Sequence, residues 1–339
     1  MKLFQLIISR VRAFRERKKK VRYFKEFEKQ LKIKYSQSAP ESTIDKCIII
    51  MLDKHFDGGG LVDKLKGIVT AKYIADYLMI PFFIYNEEER VPIHNFLKPL
   101  TSNYLFDPES LNFSSYAEPV VFINYAPTNK KDILKRFTEK KQYHFYCNLD
   151  LIGYFENASS ANLASVWSAY FNSLFLFDSL IQAKWSESDL NSKKCISVHF
   201  RFTSLLGDFK DVWDRQVTTS EQEEIIKLCI NGLTQLTQSY DGDYHFLIFS
   251  DSVKFLESIF KCSLVLKFKD RLVIDIENID HTGINRGSKV LERAITDFYF
   301  ISKCQLVFQI YVRGMHKSDF SKYGAYLGGV PFRIVELER

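Results

Sequence analysis

The chemistry-bearing residues of this chain fall in a few short stretches. In Ser197-Val198-His199-Phe200-Arg201-Phe202, a histidine and an arginine stand two apart at the end of an apolar run, with Asp208 and Asp211 shortly beyond. Alternation along a strand puts His199 and Arg201 on one side. An arginine held there can grip a phosphate in a bidentate, charge-assisted pair. The alternative is a salt bridge to a carboxylate of the following loop. A second apolar run ends in Phe249-Ser250-Asp251-Ser252. A carboxylate at that point can accept two N–H groups from a nucleobase edge such as guanine's. Asp251 or Ser252 would equally cap a helix starting at 253. Asp297 lies in a helical stretch, and Ser318-Asp319-Phe320-Ser321-Lys322-Tyr323-Gly324 opens another. The free N–H groups of that helix start suit a diphosphate, although plain capping by Ser318 or Asp319 needs no ligand. Asp57-Gly58-Gly59-Gly60 turns the chain with no Cβ in the way. Such a turn lets a ligand approach the backbone, and it also serves as an ordinary strand–helix connection.

Other polar clusters carry less. Asp241-Gly242-Asp243 resembles a metal-binding pair but precedes a strand in a turn-like setting. Asp275-Ile276-Glu277 sets two carboxylates on one side with nothing nearby to complete a site. The histidines show no HxxxH or HxH spacing; His55 and His281 fall in expected cleft loops.

The elements that must hold these residues read as alternating strands and helices. Ile48–Leu52 is a continuous apolar run suited to a strand buried on both faces. After the glycine turn, Leu61, Leu65, Ile68, Val69, Ile74 and Leu78 recur at helical spacing, with Asp63, Lys64, Lys66 and Lys72 between them. Strands are expected at 81–85, 119–125 and 143–149, a short helix at 130–140, and one long apolar helix over 161–183. Polar residues 185–194 mark a boundary. Beyond it, strands are expected at 195–200, 244–249, 272–275, 304–308 and 332–335, with helices at 221–235, 253–260, 289–302 and from 320 to 327. This pattern implies an α/β protein with mainly parallel sheets. The division expected is residues 1–43 as arm and linker, 44–185 as a first α/β domain and 186–339 as a second, with a cleft between the two domains.

The chain has 339 residues, 46% of them apolar, which is enough for two cores. Its six cysteines show no zinc-ligand or CxxC spacing and read as buried thiols of a cytosolic protein. No apolar run reaches spanning length, and Arg10 and Arg12 interrupt the N-terminal apolar stretch, so neither a spanning helix nor a signal peptide is expected. The net charge of +6 hides an asymmetry: residues 1–34 hold 13 Lys/Arg against three Glu, leaving the remainder mildly acidic. Leu3, Leu6, Ile7, Val11 and Phe14 recur three or four apart among these charges. A basic amphipathic helix reads as an element for an anionic membrane surface, or as a packed terminal helix with solvated charges. Nucleic acid is not expected as a partner, since the body has no basic face or recognition motif.

Together these stretches resemble the fucosyltransferase-like superfamily of GT-B glycosyltransferases, which includes α1,6-fucosyltransferases and protein O-fucosyltransferases. GGGLVDKLKGIVTAKYIADYLMIPFFI is similar to the family's GG-x-x-D-[RK]-L-x-G-[IL] opening. VHFRF is similar to V-H-[IV]-R-R, FSDS to T-D-[DS], AITDFYFISKCQLVFQI to D-x-x-x-[IL]-S-x-C-D, and KSDFSKYGAYLGGVPF to S-x-F-S-x-x-A. The five fall in the family's order over about 47–335. The resemblance implies a GT-B fold of two Rossmann-like domains facing a cleft. It implies inverting transfer of a sugar, fucose from GDP-fucose, to a glycan acceptor. No metal or cofactor is expected, since arginine and helix N–H groups stabilise the departing diphosphate. On matching positions, Arg201 would contact the diphosphate, and His199 and Asp251 the guanine. Asp297, Ser318, Asp319, Phe320 and Ser321 would line the phosphate and sugar side. Gly58, Gly59 and Gly60 would face the cleft from the first domain. Asp57 and Asp208 are candidates to deprotonate the acceptor.

Three departures stand out. Phe202 replaces the family's second arginine, Thr203–Gly207 displace the following acidic residue to Asp208, and Gln305 stands where an aspartate is usual. Either another nucleotide-sugar is used, or Asp208, Arg286 or Arg313 compensates. The missing arginine also admits a glycan- or nucleotide-binding protein without catalysis. With the basic arm, the enzyme reading places the chain on the inner membrane face, acting on a lipid-linked acceptor in bacterial surface-polysaccharide assembly.

Overall fold

A computed structural model describes residues 25–36, 46–53, 59–87, 93–113, 120–123, 127, 129–138, 142–156, 160–209, 217–240, 242–263, 267–277, 279 and 287–338. Asp57, Gly58, Asp211, Arg286, His55 and His281 lie outside the described residues, as does most of the basic arm.

The first half is built on a parallel sheet. Its strands are β1 (Cys47–Leu52), β2 (Phe82–Asn86), β4 (Val120–Ile123) and β5 (Gln142–Cys147), in the order β2-β1-β5-β4. All six residues of β1 are buried, as its unbroken apolar run requires of a central strand covered on both faces. Helix α2 (Leu61–Leu78) crosses over between β1 and β2. Its Lys64 and Lys66 are buried, although the helical spacing set them apart from the apolar positions. Lys66 reaches Asp319 of the second half, while Lys64 turns back onto the Gly59 carbonyl.

The long apolar helix expected over 161–183 is three elements: α4 (Ser160–Leu174), β6 (Phe175–Phe177) and α5 (Ser179–Ser186). β6 pairs antiparallel with the three-residue β3 (Leu97–Pro99), which the sequence reading did not identify. Asp178 restarts the helix by accepting the Leu180 N–H at 2.8 Å. Aromatic residues at 175 and 177 fit a short strand as well as a buried helix, and the distant partner strand decides between them. The short helix α3 (Lys130–Leu134) completes the half.

The second half is a five-stranded parallel sheet. Its strands are β7 (Lys194–Phe200), β8 (Tyr244–Ser250), β9 (Leu272–Ile274), β10 (Leu306–Val312) and β11 (Phe332–Leu337), in the order β11-β10-β7-β8-β9. Helices α6 (Thr219–Gln238), α7 (Val253–Phe260), α8 (Ser288–Lys303) and α9 (Asp319–Gly328) connect them. A capping box of Thr218 and Glu221 starts α6. Strand order reverses between β7 and β10, since the chain adds β8 and β9 on one side and β10 and β11 on the other. That is a topological switch point, where the carboxyl ends of an open sheet leave a crevice.

Residues 25–35, grouped with the arm on sequence, form a helix, α1. Phe27, Leu31 and Tyr35 are buried against Cys47, Ile49, Met51 and Tyr146, so this part of the arm belongs to the body of the first half. Lys34 pairs with the buried Asp53 at 2.8 Å, just past the end of β1. The described residues include no helix long and apolar enough to cross a membrane.

Candidate active site

Arg201 and Phe202 directly follow β7, at the switch point. The chain bends at Thr203, whose φ is 56°, a left-handed backbone unusual for a β-branched residue. Asp251, just past β8, pins that bend. Its Oδ1 accepts the Phe202 N–H at 2.8 Å and its Oδ2 the Thr203 N–H at 2.7 Å. Oδ2 also pairs with an Arg201 guanidinium nitrogen at 2.9 Å. Burial pushes the Asp251 carboxyl above its ordinary range, with Arg201 and the two N–H groups pulling the other way. The carboxylate read as a receptor for a nucleobase edge is thus engaged from within. It fixes the arginine, whose guanidinium also lies over the Phe209 ring at 4.8 Å and remains 20% exposed.

Phe202 is fully buried, its ring 4.9 Å from that of Phe255 on α7. The position of the family's second arginine therefore points into the core of the second half. Arg313, one of the proposed substitutes, is exposed just past the end of β10, at the same sheet edge as Arg201.

His199 is buried and its Nδ1 lies 3.2 Å from Ser321 Oγ, while its ring sits beside Phe320. Burial, then the charges of Arg201 and His316, hold its pKa down to about 3. A neutral histidine therefore ties the end of β7 to the first turn of α9. Ser318 caps α9 by accepting the Phe320 N–H at 3.1 Å. The structure thus gathers Arg201 with Asp251, and His199 with Phe320 and Ser321, at the carboxyl ends of β7, β8 and β10.

The remaining candidates are placed differently. Asp208 Oδ2 accepts both Ser252 Oγ and the Lys254 N–H at 2.8 Å, and Ser252 Oγ accepts the Phe255 N–H. Ser252, not Asp251, is the cap of α7, and Asp208 reinforces it. Asp297 pairs with Arg293 one turn away at 2.7 Å, and Arg293 also holds Asp275 and the Asp275 and Glu277 carbonyls. Burial raises the Asp297 pKa to about 6. This cluster staples the end of β9 to α8.

From the first half, Gly59 has φ +83°, and Gly60 is the N-cap residue of α2. A Cβ at Gly59 would collide with the Asp63 carboxylate. Lys64 donates to the Gly59 carbonyl. Lys66, buried, lies between Asp63 at 2.8 Å and Asp319 of α9 at 2.9 Å. Sequence reasoning missed Lys66. The only available signal was that the charges of α2 leave no broad solvent face.

Two Rossmann-like parallel sheets, with the gathered side chains at the switch point of the second, define a fold of the GT-B type. Among the solved structures it is similar to is NodZ α1,6-fucosyltransferase co-crystallised with GDP. The TM-score is 0.51 and the identity 17%, over 87% of this chain and 96% of that one. NodZ soaked with GDP-fucose aligns at 15% identity and a TM-score of 0.49, over 86% and 95%. Fucosyltransferase NodZ from Bradyrhizobium aligns at 17% and 0.49, over 87% and 96%. No protein-family model matches the sequence, and no curated protein matches it significantly.

Proposed function

We propose that the protein is a glycosyltransferase that moves a sugar, fucose from GDP-fucose, onto a glycan acceptor. The observation that carries this reading is the placement of Arg201 and His199 at the switch point of the second sheet, beside the first turn of α9. In that reading the diphosphate lies between Arg201, Arg313 and the start of α9, and the sugar faces the glycine turn and α2. Transfer inverts the anomeric carbon: the acceptor oxygen attacks as the bond to the diphosphate breaks. Arg201, held rigid by Asp251, stabilises the negative charge that develops on the diphosphate. Its fixed fork costs no reorganisation as charge moves. No metal enters this scheme. Asp57 and Asp208 stay as candidates for taking the acceptor proton, and one oxygen of Asp208 is already committed to α7. The basic arm of residues 1–24, with nine Lys/Arg against one Glu, would hold the enzyme on the cytoplasmic membrane face near a lipid-linked acceptor.

The test is a thermal-shift panel of GDP, UDP, CMP and TDP, followed by donor hydrolysis. A nucleotide at about 100 times its dissociation constant should stabilise the fold by ~2.7 kcal/mol. Arg201→Ala should weaken that nucleotide by about 10- to 100-fold, the loss of a charged hydrogen bond of ~1.5–3 kcal/mol. Binding with no release of nucleotide from any nucleotide-sugar would instead favour a binding protein, the reading that the buried Phe202 supports.

A further inference from the structure

Helix α9 belongs to the second half by chain order, and Phe320 packs on Phe298 of α8 with ring centres 5.7 Å apart. Its other flank belongs to the first half. Lys66 Nζ pairs with Asp319 Oδ2 at 2.9 Å. One turn on, the Tyr323 hydroxyl donates to Asp150 Oδ2 at 2.7 Å, and the ring meets buried Trp167 edge-on at 4.9 Å. A further turn on, Ser168 Oγ donates to the Leu327 carbonyl at 3.1 Å. Asp319, Tyr323 and Leu327 are spaced i, i+4, i+8, so they form one stripe along the helix. Beside it, Leu291, Ile295 and Phe298 of α8 share one apolar core with residues of β1, α2 and α4. The two halves are therefore joined along α9, by buried Tyr323 against Trp167 and, at the Ser318–Ser321 segment that meets His199, by buried Lys66 pairing with the half-exposed Asp319.

We infer that α9 couples the two halves into one cooperative unit, and that Lys66 of the first half is a positioning residue for the donor site of the second, acting through Asp319. Lys66 draws the Asp319 carboxylate to one side and fixes the first turn of α9 against α2. Asp63, on its own helix, holds the ammonium from the other side. Ligand binding in the second half then depends on a side chain outside that half. The inference rests on the donor reading above for its ligand, and its structural arm does not.

Isothermal titration with GDP on the full chain tests it, using Lys66→Met, Lys66→Arg, Asp319→Asn and the double variant Lys66→Met/Asp319→Asn. Lys66→Met should weaken GDP about fivefold or more, within the range of ordinary coupling between sites. Lys66→Arg should recover most of that, and the double variant should bind no worse than the weaker single one. Unchanged affinity in Lys66→Met, or losses that simply add, would overturn the positioning role. A purely structural loss would lower stability and leave the affinity of the folded molecules alone. Urea unfolding followed by tryptophan fluorescence and far-UV circular dichroism covers the case in which wild type binds no nucleotide. That result refutes the donor reading, yet coincident single transitions still support coupling through α9. Two separated transitions overturn it.

Discussion

Phe202 shows how packing decides what a residue at a strand end can offer a site. The family resemblance calls for an arginine there, and the chain instead buries a phenyl ring against Phe255, which also packs on Phe200. Restoring the arginine would place an unpaired charge in that core, at a cost of about 3–5 kcal/mol. We therefore predict that Phe202→Arg lowers stability by that order in urea unfolding and does not raise turnover. A more active, equally stable variant would refute this account. Two buried histidines make a second prediction. His144 and His199 are both held near pKa 3, chiefly by burial, against an ordinary 6.5. Both are neutral in the folded chain, while the unfolded chain takes up their protons below about 6.5. Between about 6.5 and 3 the unfolded state binds more protons, so stability falls as pH falls, by up to ~1.4 kcal/mol per unit per histidine. Asp297, raised to about 6, works the other way: its folded form binds a proton first, so its share of stability grows as pH falls from about 6. His199→Asn should flatten the slope measured between pH 6.5 and 4.5. An unaltered slope would mean that the ring is not buried neutral.

At the scale of elements, the seating of α2 on the first sheet depends on Gly67. A Cβ there would lie 1.9 Å from the Cys147 carbonyl oxygen, at the end of β5. Alanine favours helix by about 1 kcal/mol over glycine. Forcing α2 off the strand costs about 1–3 kcal/mol, which is the larger effect. Gly67→Ala should therefore destabilise the protein in chemical denaturation, and a net gain would show that α2 is not seated so closely. The same displacement would carry Gly59, Gly60 and Lys66 with it, since the two glycines lead into α2 and Lys66 lies in its second turn. The described end of the glycine turn, Gly59 and Gly60, leads into a helix whose Lys66 reaches Asp319 of the other half.

For the whole molecule, the basic N-terminus divides in two. Residues 25–35 are part of the first core through Phe27, Leu31 and Tyr35, and Lys34 neutralises the buried Asp53. Removing residues 1–24 should leave a stable fold that no longer floats with anionic liposomes. Removing 1–34 should destabilise the fold severely, because it strips buried side chains and leaves a carboxylate without that partner. Equal flotation of the full chain and the shorter truncation would refute membrane docking by the arm.

The chain's own pattern sufficed for a good deal. The unbroken apolar run of β1 called for a strand buried on both faces, and the alternation of strand-like runs with helices called for parallel sheets. Capping residues such as Ser252 and Ser318 announced the helices they start, because a cap needs only local geometry. Partners far apart in the chain were another matter. Nothing in the spacing of Asp251 said that its carboxylate would close on Phe202, Thr203 and Arg201, nor that Lys66 would meet Asp319. The break of 160–186 into helix, strand and helix needed β3 as a partner, and the burial of 25–35 needed the outer face of β1. Local propensity and periodicity are properties of a window of residues. Charge pairing and burial depend on which surfaces the completed fold brings together, so only the tertiary structure decided which candidates face one another across the seam of α9.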